Sequence, residues 1–257
     1  MSKKFLLAVF LVICTCSLTI TDAHALTADQ IAEKVYLRDN GKTGLGQAQM
    51  ILTNKKGENI VREFQELRKE YDNGLEKTMM RFSSPADIKD VAFLSWEVEK
   101  KDDIQFIYLP ELGRPRRISG ENKSNSFINS DFTYEDMQRR KPEDDDHSLL
   151  MEETKNGINC YVVEYTPKTS SQYSKIIQWI DKEKFISIYS EAYDKKDELL
   201  KIFQAEKIEK VDGIWTLMEI NVQNVKKDHK TTLITEKIQY NVPIDDAIFT
   251  KENLSLY

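Results

Sequence analysis

The stretch Asp103–Met137, DIQFIYLPELGRPRRISGENKSNSFINSDFTYEDM, decides how this chain reads. It opens as an apolar strand, Ile104 to Leu109. It then turns through Pro110 and Pro115, which bracket Arg114 and precede Arg116 and Arg117, and ends in an aromatic-acidic segment. The strand offers water almost no polar face, and neither does the preceding Val91–Val98. Strands of that kind must be covered on both sides. The simplest cover is a helix or loop lying inside a curved sheet.

Outward from this segment the apolar period is two. Leu45–Thr53, Trp215–Asn224 and Lys230–Asn241 alternate dry and wet positions, as half-buried strands do. Further strands are expected near residues 58–71, 74–83, 91–100, 103–110, 148–155, 158–166, 175–181, 184–193 and 198–211. Turn signals separate them, Asn156-Gly157 being the best hairpin turn because both residues tolerate positive φ. Thr27 and Gln30 form a capping box for an N-terminal helix whose apolar side is Ile31, Val35 and Leu37. Shorter helical pieces are expected at Ser84–Lys89 and from about Asp131, where Thr133 and Asp136 make a second box. The fold class is therefore mainly β with a few helices, in one domain over residues 26–257. The charged run Arg139–His147 reads as a solvated loop between two halves of one sheet.

The first residues read as a leader. Lys3 and Lys4 precede an apolar run from Phe5 to Cys14, and Ala23-His24-Ala25 is a small-x-small cleavage signal. The run is about ten residues, half of what a membrane-spanning helix needs. Cleavage after Ala25 and export to the periplasm are expected. Lipidation of Cys14 or Cys16 is disfavoured, because Ile13 and Thr15 stand where a small residue is required. Losing Lys3, Lys4 and Asp22 moves the net charge from −6 to −7. So acidic a chain is a poor partner for nucleic acid. Cys160 then stands alone, without an internal disulfide, in a strand-like run where a buried apolar role is expected.

No catalytic signature emerges. G-x-S-x-G, Walker, G-x-G-x-x-G and H-E-x-x-H patterns are absent. Asp144, Asp145, Asp146 and His147 lack the spacing of a calcium loop. A carboxylate pair drawn from Asp131, Glu135 and Asp136 has no supporting pattern around it. No enzyme, cofactor or metal is therefore expected. What remains is apolar surface: Met79, Met80, Phe82, Phe93, Trp96, Phe106, Tyr108, Phe127 and Phe132 form either the core or the walls of a pocket for a flexible apolar ligand.

The order Tyr108-Leu109-Pro110, Arg114, Arg116-Arg117-Ile118, Ser126-Phe127 and Ser130-Asp131-Phe132-Thr133-Tyr134-Glu135-Asp136-Met137 resembles the LolA-like outer-membrane lipoprotein-sorting family. Met80–Lys89, Gly213-Ile-Trp215 and Pro243–Thr250 with Leu254 fit the same pattern. Asn129 departs from it, standing where the pattern usually carries Gly. The resemblance implies an incomplete antiparallel β-barrel, here of about 11 strands, with helices plugging its concave face. It further implies a monomeric periplasmic carrier for lipid or lipoprotein acyl chains. Met79, Phe82, Phe93, Trp96, Phe106, Tyr108, Phe127 and Phe132 would line its cavity. Pro110, Arg114, Arg117, Ser130, Asp131, Tyr134 and Asp136 would form the family's motif and partner surface. An alternative implied role is an accessory subunit of an envelope exporter of the resistance-nodulation-division class, holding no cargo.

Overall fold

A computed structural model describes residues 25–256; the expected leader and both of its cysteines lie outside the described residues, save Ala25. The chain begins with α1 (Ala28–Tyr36), whose capping box forms as expected. Thr27 Oγ1 accepts from the amide of Gln30, and Gln30 Oε1 accepts from the amide of Thr27. Six strands follow: β1 (Thr43–Thr53), β2 (Asn59–Glu70), β3 (Glu76–Ser84), β4 (Ala92–Trp96), β5 (Ile104–Leu109) and β6 (Arg114–Arg117). After a long connection come β7 (Asp145–Lys155), β8 (Ile158–Pro167), β9 (Tyr173–Asp181), β10 (Ser187–Asp194), β11 (Leu199–Val211), β12 (Ile214–Asn224) and β13 (His229–Tyr240).

All thirteen strands form one open antiparallel sheet in the order β6-β5-β4-β3-β2-β1-β13-β12-β11-β10-β9-β8-β7. This is the LolA-like incomplete barrel. It has thirteen strands rather than about eleven; twelve fall at the stretches marked in the sequence, and the one not foreseen is β6. Arg114–Arg117 reads as a turn because it is short and basic and contains Pro115, yet it pairs along β5, Phe106 opposite Arg117. Such a short, charged, Pro-bearing strand suits a sheet edge, where it discourages further pairing.

The topology explains why residues 118–144 matter. The chain lays down β1 to β6 outward to one edge, then must cross to the opposite edge to start β7 and work back to β13 beside β1. The connection crosses on the inner face. It contains short 3-10 turns and no α-helix, so the helix expected from Asp131 is a single turn closed by Met137 N–H to Thr133 C=O at 3.3 Å. Its reciprocal box does form: Thr133 N–H donates to Asp136 Oδ2 at 2.8 Å, and Asp136 N–H to Thr133 Oγ1 at 3.4 Å. The local signal was real; the chain cannot continue helically because Phe127, Phe132 and Tyr134 are each needed against the sheet. Where the family pattern has Gly, Asn129 takes φ 55°, beside Ile128 at 47°. Asn enters that left-handed region more readily than most residues.

Both faces of β4 and β5 are covered, as their apolar sequences require. On the inner face Phe82, Phe93, Ile107, Phe127 and Phe132 cluster. On the outer face Met79, Leu94, Phe106 and Tyr108 pack beneath Phe249 and Leu254 of the C-terminal segment. A third cluster sits under α1, where Ile31 and Ala32 meet Val163, Tyr165, Tyr173 and Ile176.

The run Arg139–His147 is not the solvated loop its charges suggest. Arg140 grips Asp145 with two bonds, Nε to Oδ2 at 2.6 Å being one. Lys141 is buried, and its ammonium donates to Val98 C=O, Lys101 C=O and Asp103 Oδ1 at 2.7–2.9 Å. Charges so paired can enter an interior that would otherwise reject them.

A candidate binding cleft

The crossing segment is a plug fastened at several points. Phe127, fully buried, sits with its ring centroid 5.1 Å from Phe93, 6.2 Å from Phe82 and 5.7 Å from Tyr134. Arg62 donates to Ile128 C=O, supporting the left-handed turn. Ser130 Oγ donates to Phe127 C=O at 2.6 Å, and Gln105 Nε2 to Tyr134 C=O at 2.9 Å.

The acids fasten the plug to the far half of the sheet. Asp131 Oδ2 accepts from Thr231 Oγ1 at 2.7 Å and lies 2.6 Å from His229 Nδ1, both on β13. Asp136 meets Lys201 Nζ of β11 at 2.6 Å and Tyr173 Oη of β9 at 2.7 Å. Burial beside that carboxylate pushes the Tyr173 phenol well above its ordinary range. Glu135 accepts from Ser171 Oγ and, at 3.0 Å, from the amide of Gln172.

Beyond these latches the plug does not fill the barrel. A cleft with about 280 Å3 of room for water-sized groups lies between residues 132–144 and the inner face of β9–β12. That is near the lower end of the range of small-molecule sites. Its floor is largely apolar, with Ile176, Phe203, Ala205, Leu217 and Ile220 facing Phe132 of the plug, and is interrupted by Gln178, Ser187, Ser190 and Gln204. Its mouth is polar, with Lys123, Glu135, Gln138, Arg139, Arg140, Asp144, Ser170 and Ser171. An apolar floor under a charged mouth matches an amphiphile entering tail first.

Of the eight aromatic and Met positions singled out in the sequence, only Phe132 reaches this cleft. Phe82, Phe93 and Phe127 fill the inner cluster, while Met79, Trp96, Phe106 and Tyr108 lie on the outer face. Strand alternation separates them: Met79 and Met80 must point opposite ways, as must Phe106 and Ile107. They do not form one wall. Of the motif residues, Ser130, Asp131, Tyr134 and Asp136 are structural fasteners, and Asp136 also borders the cleft. Pro110 begins a 3-10 turn. Arg114, Arg116 and Arg117 are exposed on β6, with no ion pair to any described residue. Asp131, Glu135 and Asp136, the acids of the same segment, bond instead to Thr231, to Ser171 and Gln172, and to Tyr173 and Lys201.

Sequence reading did not single out Ile176, Phe203 and Ile220, nor Gln138 and Arg140, and it weighed Asp144 only as a calcium ligand. The floor residues sit in ordinary alternating strands, and the mouth residues in a run that looks merely charged. Their convergence depends on the crossing from β6 to β7, which no local signal reports. Among the described residues no cluster could hold a metal ion, and no helix is long and apolar enough to cross a membrane. Cys160 is buried, and burial pushes its thiol up, away from reactivity.

A family model described as an uncharacterized protein matches residues 74–256. A DUF1329 family protein from Desulfovibrio piger is 32% identical, covers 88% of this chain and 97% of its own, and superposes with a TM-score of 0.84. A protein from Vibrio parahaemolyticus described as an outer membrane lipoprotein-sorting domain is 29% identical over 89% of this chain and 98% of its own, at 0.85. A LolA superfamily protein from Nitrosomonas europaea, 21% identical over 89% of this chain and all of its own, shares the fold at 0.71. No curated protein matches the sequence.

Proposed function

This chain belongs to the DUF1329 family, and from that premise we infer that it is a periplasmic carrier, shielding the acyl chains of a lipid or lipoprotein in its cleft and catalysing no reaction. One observation carries this reading: an apolar floor on β9–β12 roofed by a plug whose latches are polar and therefore reversible. The relative described as a lipoprotein-sorting domain is consistent with it. Each methylene buried on that floor contributes about 0.8 kcal/mol. One long chain can therefore offset the ordering that binding demands. The test is native mass spectrometry of protein released from its own envelope, alongside displacement of a hydrophobic fluorescent probe. Co-released lipid, with probe binding weakened by Phe203→Asp on the floor, is the expected result. Protein that is always empty and binds no probe would sink the reading.

A second reading has its own observation. Arg114, Arg116 and Arg117 are exposed and free of ion pairs with described residues, at a sheet edge. They suit docking onto an acidic patch of an exporter of the resistance-nodulation-division class. Charge reversal at Arg114 and Arg117 would then abolish capture of the protein by intact membranes, yet leave probe binding unchanged. Membrane capture that survives the reversal refutes this second role.

A further inference from the structure

Counting which charges at the cleft mouth are already neutralised narrows the ligand. Each cation is already paired: Lys123 with Asp102 at 2.7 Å, Arg139 with Glu76 at 2.8 Å, shared with Arg68, and with Glu97 at 3.7 Å, and Arg140 with Asp145. The acids are not matched in return. Glu135 receives hydrogen bonds only from Ser171 Oγ and the Gln172 amide, neutral donors that leave its charge standing. Asp144 makes no salt bridge. The nearest counter-charge acting on it, Lys141, is committed to Asp103 and two carbonyls. Burial, helped by neighbouring Glu143 and Asp145, accordingly raises the Asp144 carboxyl above its usual range. Arg140 is thus the one guanidinium facing three carboxylates, Asp145, Glu135 and Asp144.

A bare divalent ion does not fit, since these carboxylates do not converge on a point. An anionic head would need to displace an acid from an arginine while facing two carboxylates that share one guanidinium already bound to Asp145. A diffuse ammonium needs neither convergence nor displacement. Gln138, also at the mouth, holds a buried Nε2 with no hydrogen-bond partner. A buried donor left so invites an acceptor, such as the ester or phosphate oxygen that accompanies an amine in many lipid heads.

We propose that the cleft selects amphiphiles whose head bears a positively charged amine, with Glu135 and Asp144 as its counter-charges and Gln138 bonding an adjacent oxygen. The proposal rests on the carrier reading and adds the head-group class to it.

Calorimetry with three probes of one tail length, dodecylammonium, dodecanol and dodecanoate, all below micelle formation, separates the two ideas. Dodecylammonium should bind at least about tenfold tighter than dodecanoate, the effect of one uncompensated charge pair in a partly desolvated site. Asp144→Asn should remove most of that preference, dodecylammonium losing far more affinity than dodecanol. Glu58→Gln, a surface acid in the β1–β2 turn, should leave the preference intact and so reports any effect of bulk charge. If none of the three probes binds, the carrier reading itself fails. If all bind but dodecanoate equals or exceeds dodecylammonium, the head-group assignment is wrong and the carrier reading stands. It is equally wrong if the preference survives Asp144→Asn with native circular dichroism, or falls as far in Glu58→Gln.

Discussion

The two halves of the sheet solve the same problem differently. From β1 to β6 the inner face is packed with Phe rings and the outer face of β3–β5 lies under the C-terminal segment. From β7 to β12 the inner face is divided. α1 covers the stretch with Val163 and Tyr173, and the cleft opens over Ile176, Phe203 and Ile220. On the outer face of this half Trp179 and Tyr189 meet edge to face, ring centroids 5.1 Å apart, under the ammonium of Lys155. One half is a core and the other a receptacle, and the plug is anchored in the first to roof the second. Aromatic content therefore marks the anchoring half, not the ligand's path.

The sharpest way to break this comparison is to empty the anchor. Phe127→Ala removes a fully buried ring that touches Phe82, Phe93 and Tyr134. It is expected to lower unfolding free energy by about 3–5 kcal/mol, read from denaturant melts. Because the ring only holds the plug, ligand affinity should fall through loosening of the whole segment, with similar losses for ligands of every head group. A loss of stability below about 1 kcal/mol would show that the plug is not anchored by packing.

The latch between the halves comes next. Lys201→Met removes the cation from Asp136 inside the protein. Stranding a buried carboxylate costs several kcal/mol when it has no other partner. Here Tyr173 and Thr133 continue to donate to Asp136, so a loss of about 2–3 kcal/mol is expected. The plug should also open more often at its Asp136 end, seen as faster amide exchange at 131–137 than at 120–129. Uniform exchange along the segment would mean that it moves as one body and that the latch has no local role.

The halves also differ in how much the sequence revealed. The two-sided apolar strands β4 and β5, the Thr27 capping box and the Asn156-Gly157 turn, with φ of 53° and 79°, are set by nearest neighbours and were legible. So was the expectation that β4 and β5 carry a cover on each face. That the outer cover is Phe249 and Leu254, more than a hundred residues away, is not a local fact. Nor is the cleft: Phe203 and Arg140 meet only because β6 and β7 lie at opposite edges of one sheet. The Arg139–His147 run misled for a related reason. A charged run stays in water only where the fold brings it no counter-charge, and Asp103, which binds Lys141, lies 38 positions upstream.

The smallest expected effect tests the packed half where it is least well made. Glu66 lies on β2 with the inward parity of Phe64, between Met80 of β3 and the side-chain-free Gly46 of β1. Burial raises its carboxyl above the ordinary range. Arg68 offsets this only in part, being paired with Glu76 at 3.0 Å. A carboxyl whose folded pKa is raised binds its proton more tightly when folded. Its contribution to stability is therefore complete below the unfolded pKa near 4.3 and is lost as pH climbs through the raised folded value. Glu66→Gln should accordingly stabilise the protein at pH 7 by about 0.5–1 kcal/mol and gain nothing at pH 4. The same change at Asp144, Asp144→Asn, should also stabilise at neutral pH in the absence of ligand, since burial raises that carboxyl too. The halves part company when amphiphile is added. Ligand should abolish or reverse the advantage of Asp144→Asn and leave that of Glu66→Gln untouched, because only one of these carboxylates faces the cleft. An equal response of both melting temperatures to dodecylammonium would dissolve the distinction between core and receptacle.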